Sequence, residues 1–243
     1  GSATLTLADS FMTTRGKLIA VEGIDGSGKQ TQVRLLAEAL QARGHRVLST
    51  GFPQYNSWFG RMAGQFLNGD FGSIDTVDPH FAALLYAGDR FENQGPIVAA
   101  LAHGDIVVAD RYIASNLAHQ TARSAPEKRA EFRKWIEHLE YGIYGLPKEE
   151  LVLYLRVTPH HAQTLVAKKA ARSYTESAHD ILEASTRHLE TAADIYDDLA
   201  RSPNWRTIEC VDLQTQAMRA PGDIAREVLA AVEPILPSLE EKR

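Results

Sequence analysis

The chain reads as an α/β protein with a five-stranded parallel sheet flanked by helices on both faces. Three observations lead there. Short apolar, β-branched runs recur along the chain, and segments with apolar residues at helical spacing stand between them. Hydrophobic residues make up 44% and charged residues 23% of 243 positions, which suits one sizeable buried core and is too apolar for a disordered chain. Alternating strands and helices favour parallel pairing, with ligands held outside the carboxyl ends of the strands.

The elements follow in order. Gly1-Ser2 reads as the scar of a cleaved tag and residues 1–14 as a loose leader, followed by a single domain over 15–236 and a tail over 237–243. Lys17 to Val21 is a first strand. From about Lys29 the spacing turns helical, with Val33, Leu36 and Leu40 on one face and Gly44 placed to end the helix. His45 to Thr50, Ile106 to Ala109, Leu151 to Leu155 and Thr207 to Val211 supply the remaining strands. Helices are expected over 78–91, 95–103, 126–141 and 223–232, with a long helical stretch from Thr158 toward Ala200, interrupted near residues 173–177.

Composition removes several classes of function. A net charge of −5 argues against a general nucleic-acid binder, whose affinity needs a basic surface. One cysteine, Cys210, rules out an internal disulfide and a multi-cysteine zinc site, and reads as a small buried hydrophobe on a strand. No apolar run approaches the ~18 residues that a membrane span needs, and no export signal is read, so a reducing cytoplasm is the expected compartment. The histidines other than His119, among them His160 and His161, lack metal-ligand spacing and are expected on helix surfaces. Lys128, Arg129, Arg133 and Lys134 read as a solvated helix face.

Gly23-Ile24-Asp25-Gly26-Ser27-Gly28-Lys29 carries the chemistry. It fits the first seven positions of G-x-x-x-x-G-K-[ST] and stands between a strand and a helix, the P-loop setting. Glycines let the backbone wrap a phosphate chain, N–H groups point inward, and the helix start adds partial positive charge. Lys29 adds a full charge at the β- and γ-phosphates. Gln30 stands where a Ser or Thr hydroxyl would ordinarily reach Mg²⁺, and Thr31 follows one residue later. Mg²⁺ would then lean on phosphate oxygens with one carboxylate, directly or through water.

Further along stand Phe52-Pro53-Gln54-Tyr55, Leu85-Tyr86-Ala87-Gly88-Asp89-Arg90, Asp110-Arg111-Tyr112-Ile113-Ala114-Ser115-Asn116 and Gly145-Leu146-Pro147. With the phosphate loop, these landmarks occur in the order and approximate spacing of thymidylate kinases, and over roughly residues 17–211 the chain resembles that family. The resemblance implies transfer of the γ-phosphate of ATP to dTMP, giving ADP and dTDP for dTTP synthesis, with Mg²⁺ as cofactor and a homodimer as the working form. It implies that Asp25 faces the acceptor and the metal-phosphate region, that Phe52 and Pro53 wall the acceptor pocket, and that Tyr55 and Arg111 hold the acceptor phosphate. Tyr86 replaces the usual Phe stacked on the base. Arg90 would donate to thymine O4, Asn116 would meet N3–H beside Ser115, and His119 stands where an aromatic residue crowds out a ribose 2′-hydroxyl in some members. Asp110 would orient Arg111 or reach metal-bound water.

A kinase must exclude water as the phosphoryl group moves, so a closing segment with cations is expected. Residues 166–184 fall where the family's lid belongs. Lys168, Lys169 and Arg172 are its cations, Arg172 the first choice for charge stabilisation because Gly26 replaces an arginine found in some relatives. Asp180 and Glu183 resemble the lid's Asp-x-x-Glu, with Ile181 in place of an arginine, and Glu183 is a candidate for metal-bound water. On the residues alone a deoxynucleoside kinase acting on thymidine, or a nucleotide-binding switch or ATPase with no acceptor, stays open.

Overall fold

The computed structural model describes residues 15–73, 75–161 and 186–238. Five strands form one parallel sheet in the order β2-β3-β1-β4-β5. They are β1 (Lys17–Glu22), β2 (Val47–Gly51), β3 (Ile106–Asp110), β4 (Leu151–Arg156) and β5 (Trp205–Glu209). The helices are α1 (Lys29–Ala42), α2 (Trp58–Leu67), α3 (Pro79–Glu92), α4 (Gly95–Ala102), α5 (Ile113–His119), α6 (Arg129–Glu137), α7 (Thr186–Leu199) and α8 (Pro221–Val232). Leu18 to Val21 on β1 and Ile106 to Ala109 on β3 are wholly buried. That is why these strands are continuous apolar runs and do not alternate.

Register places the site. Val21 and Gly51 both pair with Asp110, so the carboxyl ends of β1, β2 and β3 stop level with one another. Chain leaving these ends carries Gly23, Phe52 and Arg111 onto one edge of the sheet. Helix starts and stops follow local chemistry. Gly28 enters α1 with φ 87° and Gly44 follows it with φ 90°, a backbone region open to glycine. Asp78 caps α3 by accepting from the His80 N–H at 2.7 Å, and Pro79 opens the helix.

Several expectations need correction. The expected elements omit helix α2, although Phe59, Met62, Ala63 and Phe66 stand at helical spacing and Ser57 caps it by accepting from Gly60 N–H at 3.2 Å. The last strand is Trp205–Glu209, two residues earlier than expected, and Val211 makes an isolated antiparallel bridge with Met218. The segment 126–141 is not one helix: a 3₁₀ turn precedes α6, and a π-helical turn, His138–Ile143, follows it. That wide turn brings Leu139 and Glu140 together into the interior. His45 and His188 are buried, not surface residues. Cys210 lies just past β5, fully buried, with burial pushing its thiol up to about 12. No helix among the described residues is long and apolar enough to cross a membrane.

Candidate active site

The loop from Gly23 to Gly28 joins β1 to α1. Gly23, Gly26 and Gly28 all take positive φ, and a Cβ on Gly23 would come within 2.7 Å of the Leu155 carbonyl oxygen. Only glycine lets the loop lie this close to β4. Lys29 opens α1 with its side chain buried, donating to the Ile24 carbonyl at 3.2 Å and lying 3.5 Å from Asp25. Burial and the neighbouring Arg111 charge lower its pKa, so the site favours an added anion beside it. Gln30 and Thr31 are exposed on the first turn of α1, while Ser27 is buried.

Arg111 takes φ 65°, unusual for a residue with a side chain, and its N–H still bonds the Val21 carbonyl at 3.0 Å. This turn sends the guanidinium back across the loop. Nη2 donates to Asp25 Oδ1, and Nη1 donates to Ser115 Oγ and His119 Nε2, both at 3.2 Å. An arginine only donates, so His119 Nε2 is an acceptor and its Nδ1–H donates to His188 Nε2 at 3.2 Å. Burial, with Arg111 and His188 adding to it, keeps His119 neutral. Burial would raise the Asp25 carboxyl, but the charges of Arg111 and Lys29 overcome it and hold the group at about 2.

Beside this lies a cleft with about 550 Å³ of empty space, part of it open to solvent. The predicted residues Phe52, Pro53, Tyr55, Tyr86, Arg90, Arg111, Ser115, Asn116 and His119 all line it, together with Leu67 and Gln120. Tyr55 stands at its mouth, about half exposed, whereas Arg90 and Asn116 are almost wholly buried. Asp110 is half-buried at the end of β3, where its charge acts on Lys29 and Arg111. Lys168, Lys169, Arg172, Asp180 and Glu183 lie outside the described residues.

Three supporting carboxylates escaped the sequence reading. Glu22 is fully buried at the end of β1: Oε1 accepts from Tyr112 N–H (2.7 Å) and Ser115 N–H (3.2 Å), and Oε2 from the Ser115 (2.6 Å) and Tyr196 (2.9 Å) hydroxyls. It fixes the turn that aims Arg111. Asp89 accepts from Gln54 N–H at 3.0 Å and Ser57 Oγ at 3.0 Å, holding the Phe52 to Tyr55 loop against α3. Glu140 pairs with Arg90 and Asn116 in the cleft wall. A signal for Glu140 was present: it falls four residues after Ile136 and eight after Phe132, on the apolar face.

Asp25 Oδ2 is a buried carboxylate oxygen with no hydrogen-bond partner among the described residues. A hard oxygen donor of this kind fits Mg²⁺, and no cluster of three His, Cys, Asp or Glu stands among the described residues to hold a metal without nucleotide oxygens.

A P-loop beside a separate cleft, with an arginine spanning the two, is the arrangement of a P-loop nucleotide kinase. A family model described as Thymidylate kinase matches residues 21–219. The thymidylate kinase of Mycobacterium tuberculosis is 32% identical over 184 residues, covering 75% of this chain and 85% of that one. A probable thymidylate kinase of Pyrobaculum calidifontis is 33% identical over 223 residues, covering 91% and 98%. The solved thymidylate kinase of Candida albicans superposes with TM-score 0.70 at 19% identity over 91% of this chain and 92% of that one, a likeness of fold. The chain belongs to the thymidylate kinase family, enzymes that use ATP to phosphorylate dTMP to dTDP.

Proposed function

We propose that the chain transfers the γ-phosphoryl group of ATP directly to the phosphate of dTMP at the carboxyl edge of its sheet, with Mg²⁺ bound and as a homodimer. The observation that carries this reading is the position of Arg111, which touches Asp25 of the phosphate loop and His119 of the cleft at once. A guanidinium there can grip an acceptor phosphate within reach of the donor's terminal phosphate.

The loop N–H groups and Lys29 hold the ATP phosphates. Arg111, with Tyr55 at the mouth, takes the dTMP phosphate, and the base lies among Phe52, Pro53 and Tyr86. An oxygen of the acceptor phosphate forms the new P–O bond as the bond from γ-phosphorus to ADP breaks in line, so no protein nucleophile takes part. That oxygen is already ionised, so no strong general base is needed; Asp25 orients the groups around it. Asp25, with Asp110 through water, would hold Mg²⁺, which supplies charge neutralisation at the phosphates. Lys168, Lys169 and Arg172 supply lid cations in this proposal, and Glu183 a contact to metal-bound water. Phe81, Leu84 and Phe91 on α3 and Val98 on α4 leave large apolar groups exposed, a surface suited to a second copy. A lone buried cysteine suits a cytoplasmic enzyme.

Coupled ADP release with Mg-ATP tests this against dTMP, dUMP, dCMP, thymidine and no acceptor, with Lys29→Ala as control. The expected pattern is release driven by dTMP, weaker with dUMP, negligible with dCMP and lost in the control. Stimulation by thymidine alone would make the chain a nucleoside kinase, and acceptor-independent release would make it an ATPase.

A further inference from the structure

Glu140 sits on the π-helical turn after α6 and is wholly shielded from solvent. Its single carboxylate serves two residues of the cleft wall. Oε2 accepts from Arg90 Nε–H at 2.5 Å, while Oε1 accepts from Arg90 Nη2–H at 2.6 Å and Asn116 Nδ2–H at 2.8 Å. The same Asn116 nitrogen donates to the Ala83 carbonyl at 3.1 Å.

An amide nitrogen facing two acceptors decides which way the amide points. Asn116 Oδ1 is thereby left as a buried acceptor without a partner among the described residues, on a residue that lines the cleft. Arg90 is constrained in the same manner. Two of its three nitrogens are committed to Glu140, and Nη1 remains as the donor that the pair does not use.

We propose that Glu140 is the positioning residue that sets base specificity, by fixing Asn116 as an acceptor and Arg90 as a donor toward the bound base. This rests on the dTMP reading above. The pattern matches a 4-oxo pyrimidine, whose N3–H donates and whose O4 accepts. Cytosine reverses both groups, so its N3 would face an oxygen and its amino group a guanidinium. Buried mismatches of this kind are worth ~10⁴-fold, whereas a missing methyl is worth ~10 to 200-fold. A carboxylate is required because only an all-acceptor group satisfies Arg90 twice and Asn116 once.

Glu140→Gln tests it, since a glutamine offers one acceptor and one donor in the same volume. Either Arg90 loses its second bond or Asn116 meets an N–H and turns its amide. The expected result is a fall in kcat/KM for dTMP of roughly a hundredfold, carried mainly by KM, with the dTMP to dCMP ratio narrowed by at least ~tenfold. ATP affinity, measured separately at the phosphate loop, should stay within about twofold, which reports a folded protein. Glu140→Asp keeps both acceptors on a shorter arm and should restore part of the ratio. A dTMP to dCMP ratio unchanged in both variants, whatever the loss of rate, would overturn the proposal and leave Glu140 as general support. A parent chain that does not separate dTMP from dCMP would instead overturn the reading of the cleft itself.

Discussion

Arg111 donates to Asp25, so a side chain from the end of β3 closes over the carboxylate four positions before Lys29. The contact ties the cleft and the P-loop into one charge network, and it depends on the planar fork of arginine. Arg111 also bonds Ser115 and His119, and a lysine ammonium cannot span all three partners from one point. Arg111→Lys is expected to lower kcat/KM for dTMP by roughly 10²- to 10⁴-fold, the loss of one or two charge-assisted hydrogen bonds. Titration of ATP binding should change far less. Initial-rate kinetics against both substrates checks this, and an equal loss for ATP and dTMP would count against an acceptor-side role.

Glu149 and His188 act on stability in opposite directions over one pH window. Burial raises Glu149 to about 7 from an ordinary 4.5, against the hydrogen bond from Tyr141. Between these values the folded chain keeps a proton that the unfolded chain has released, so stability falls as pH rises through the window. The penalty is absent below 4.5 and complete above 7. Burial, with the charge of Arg123 adding to it, lowers His188 to about 4 from 6.5. There the unfolded chain holds the extra proton, so stability rises with pH from 4 to 6.5. Each effect is on the order of 3 kcal/mol, and across their overlap the two largely cancel. Glu149→Gln should therefore gain stability as pH rises from 4.5 to 6.5, and His188→Phe should lose it. Urea unfolding at several pH values gives the slopes, and parallel curves for parent and both variants would refute the pair.

The legible part of this protein is the part written in local pattern. Buried strands such as Ile106 to Asp110 and the helix after Lys29 follow from apolar spacing, and the glycine loop follows from backbone geometry. The illegible part is written in long-range pairing. Glu22 meets Tyr196 across 174 positions and Glu140 meets Arg90 across 50, and no periodicity in either segment announces its partner. His188 reads as a surface histidine on spacing alone, yet it stacks on His119 with ring centroids 5.5 Å apart because α7 packs against α5. The cleft itself depends on this packing: Asp89 anchors a loop whose residues show only that they are aromatic and proline-containing.

Asp25 is proposed to serve both substrates, and the metal requirement separates the two roles. Asp25→Asn removes the charge whose free oxygen fits Mg²⁺ while keeping a side chain that can still accept from Arg111. The Mg²⁺ concentration giving half-maximal rate is expected to rise by roughly tenfold or more, a loss of at least ~1.4 kcal/mol in metal-nucleotide binding. A Mg²⁺ titration at fixed total ATP measures it. A changed KM for dTMP with an unchanged Mg²⁺ requirement would confine Asp25 to the acceptor side.

The apolar stripe on α3 makes the assembly state testable without touching the cleft. Phe81, Leu84 and Phe91 recur at spacings of three and seven along the helix, and each is more than a third exposed. Residues at that spacing share one helix face, and water contact there costs about 25 cal/mol per Å² of apolar surface left uncovered. A two-fold dimer would bring the stripe against its own copy, so one substitution acts twice in each dimer. Leu84→Glu places two carboxylates in that contact and should shift the chain from dimer to monomer, read by sedimentation velocity over a concentration series. Leu84 is exposed and, unlike Tyr86 and Arg90, does not line the cleft, so the isolated monomer should still bind ATP. A parent chain that sediments as a monomer at all concentrations would remove the dimer from the proposed function and leave the stripe to another partner.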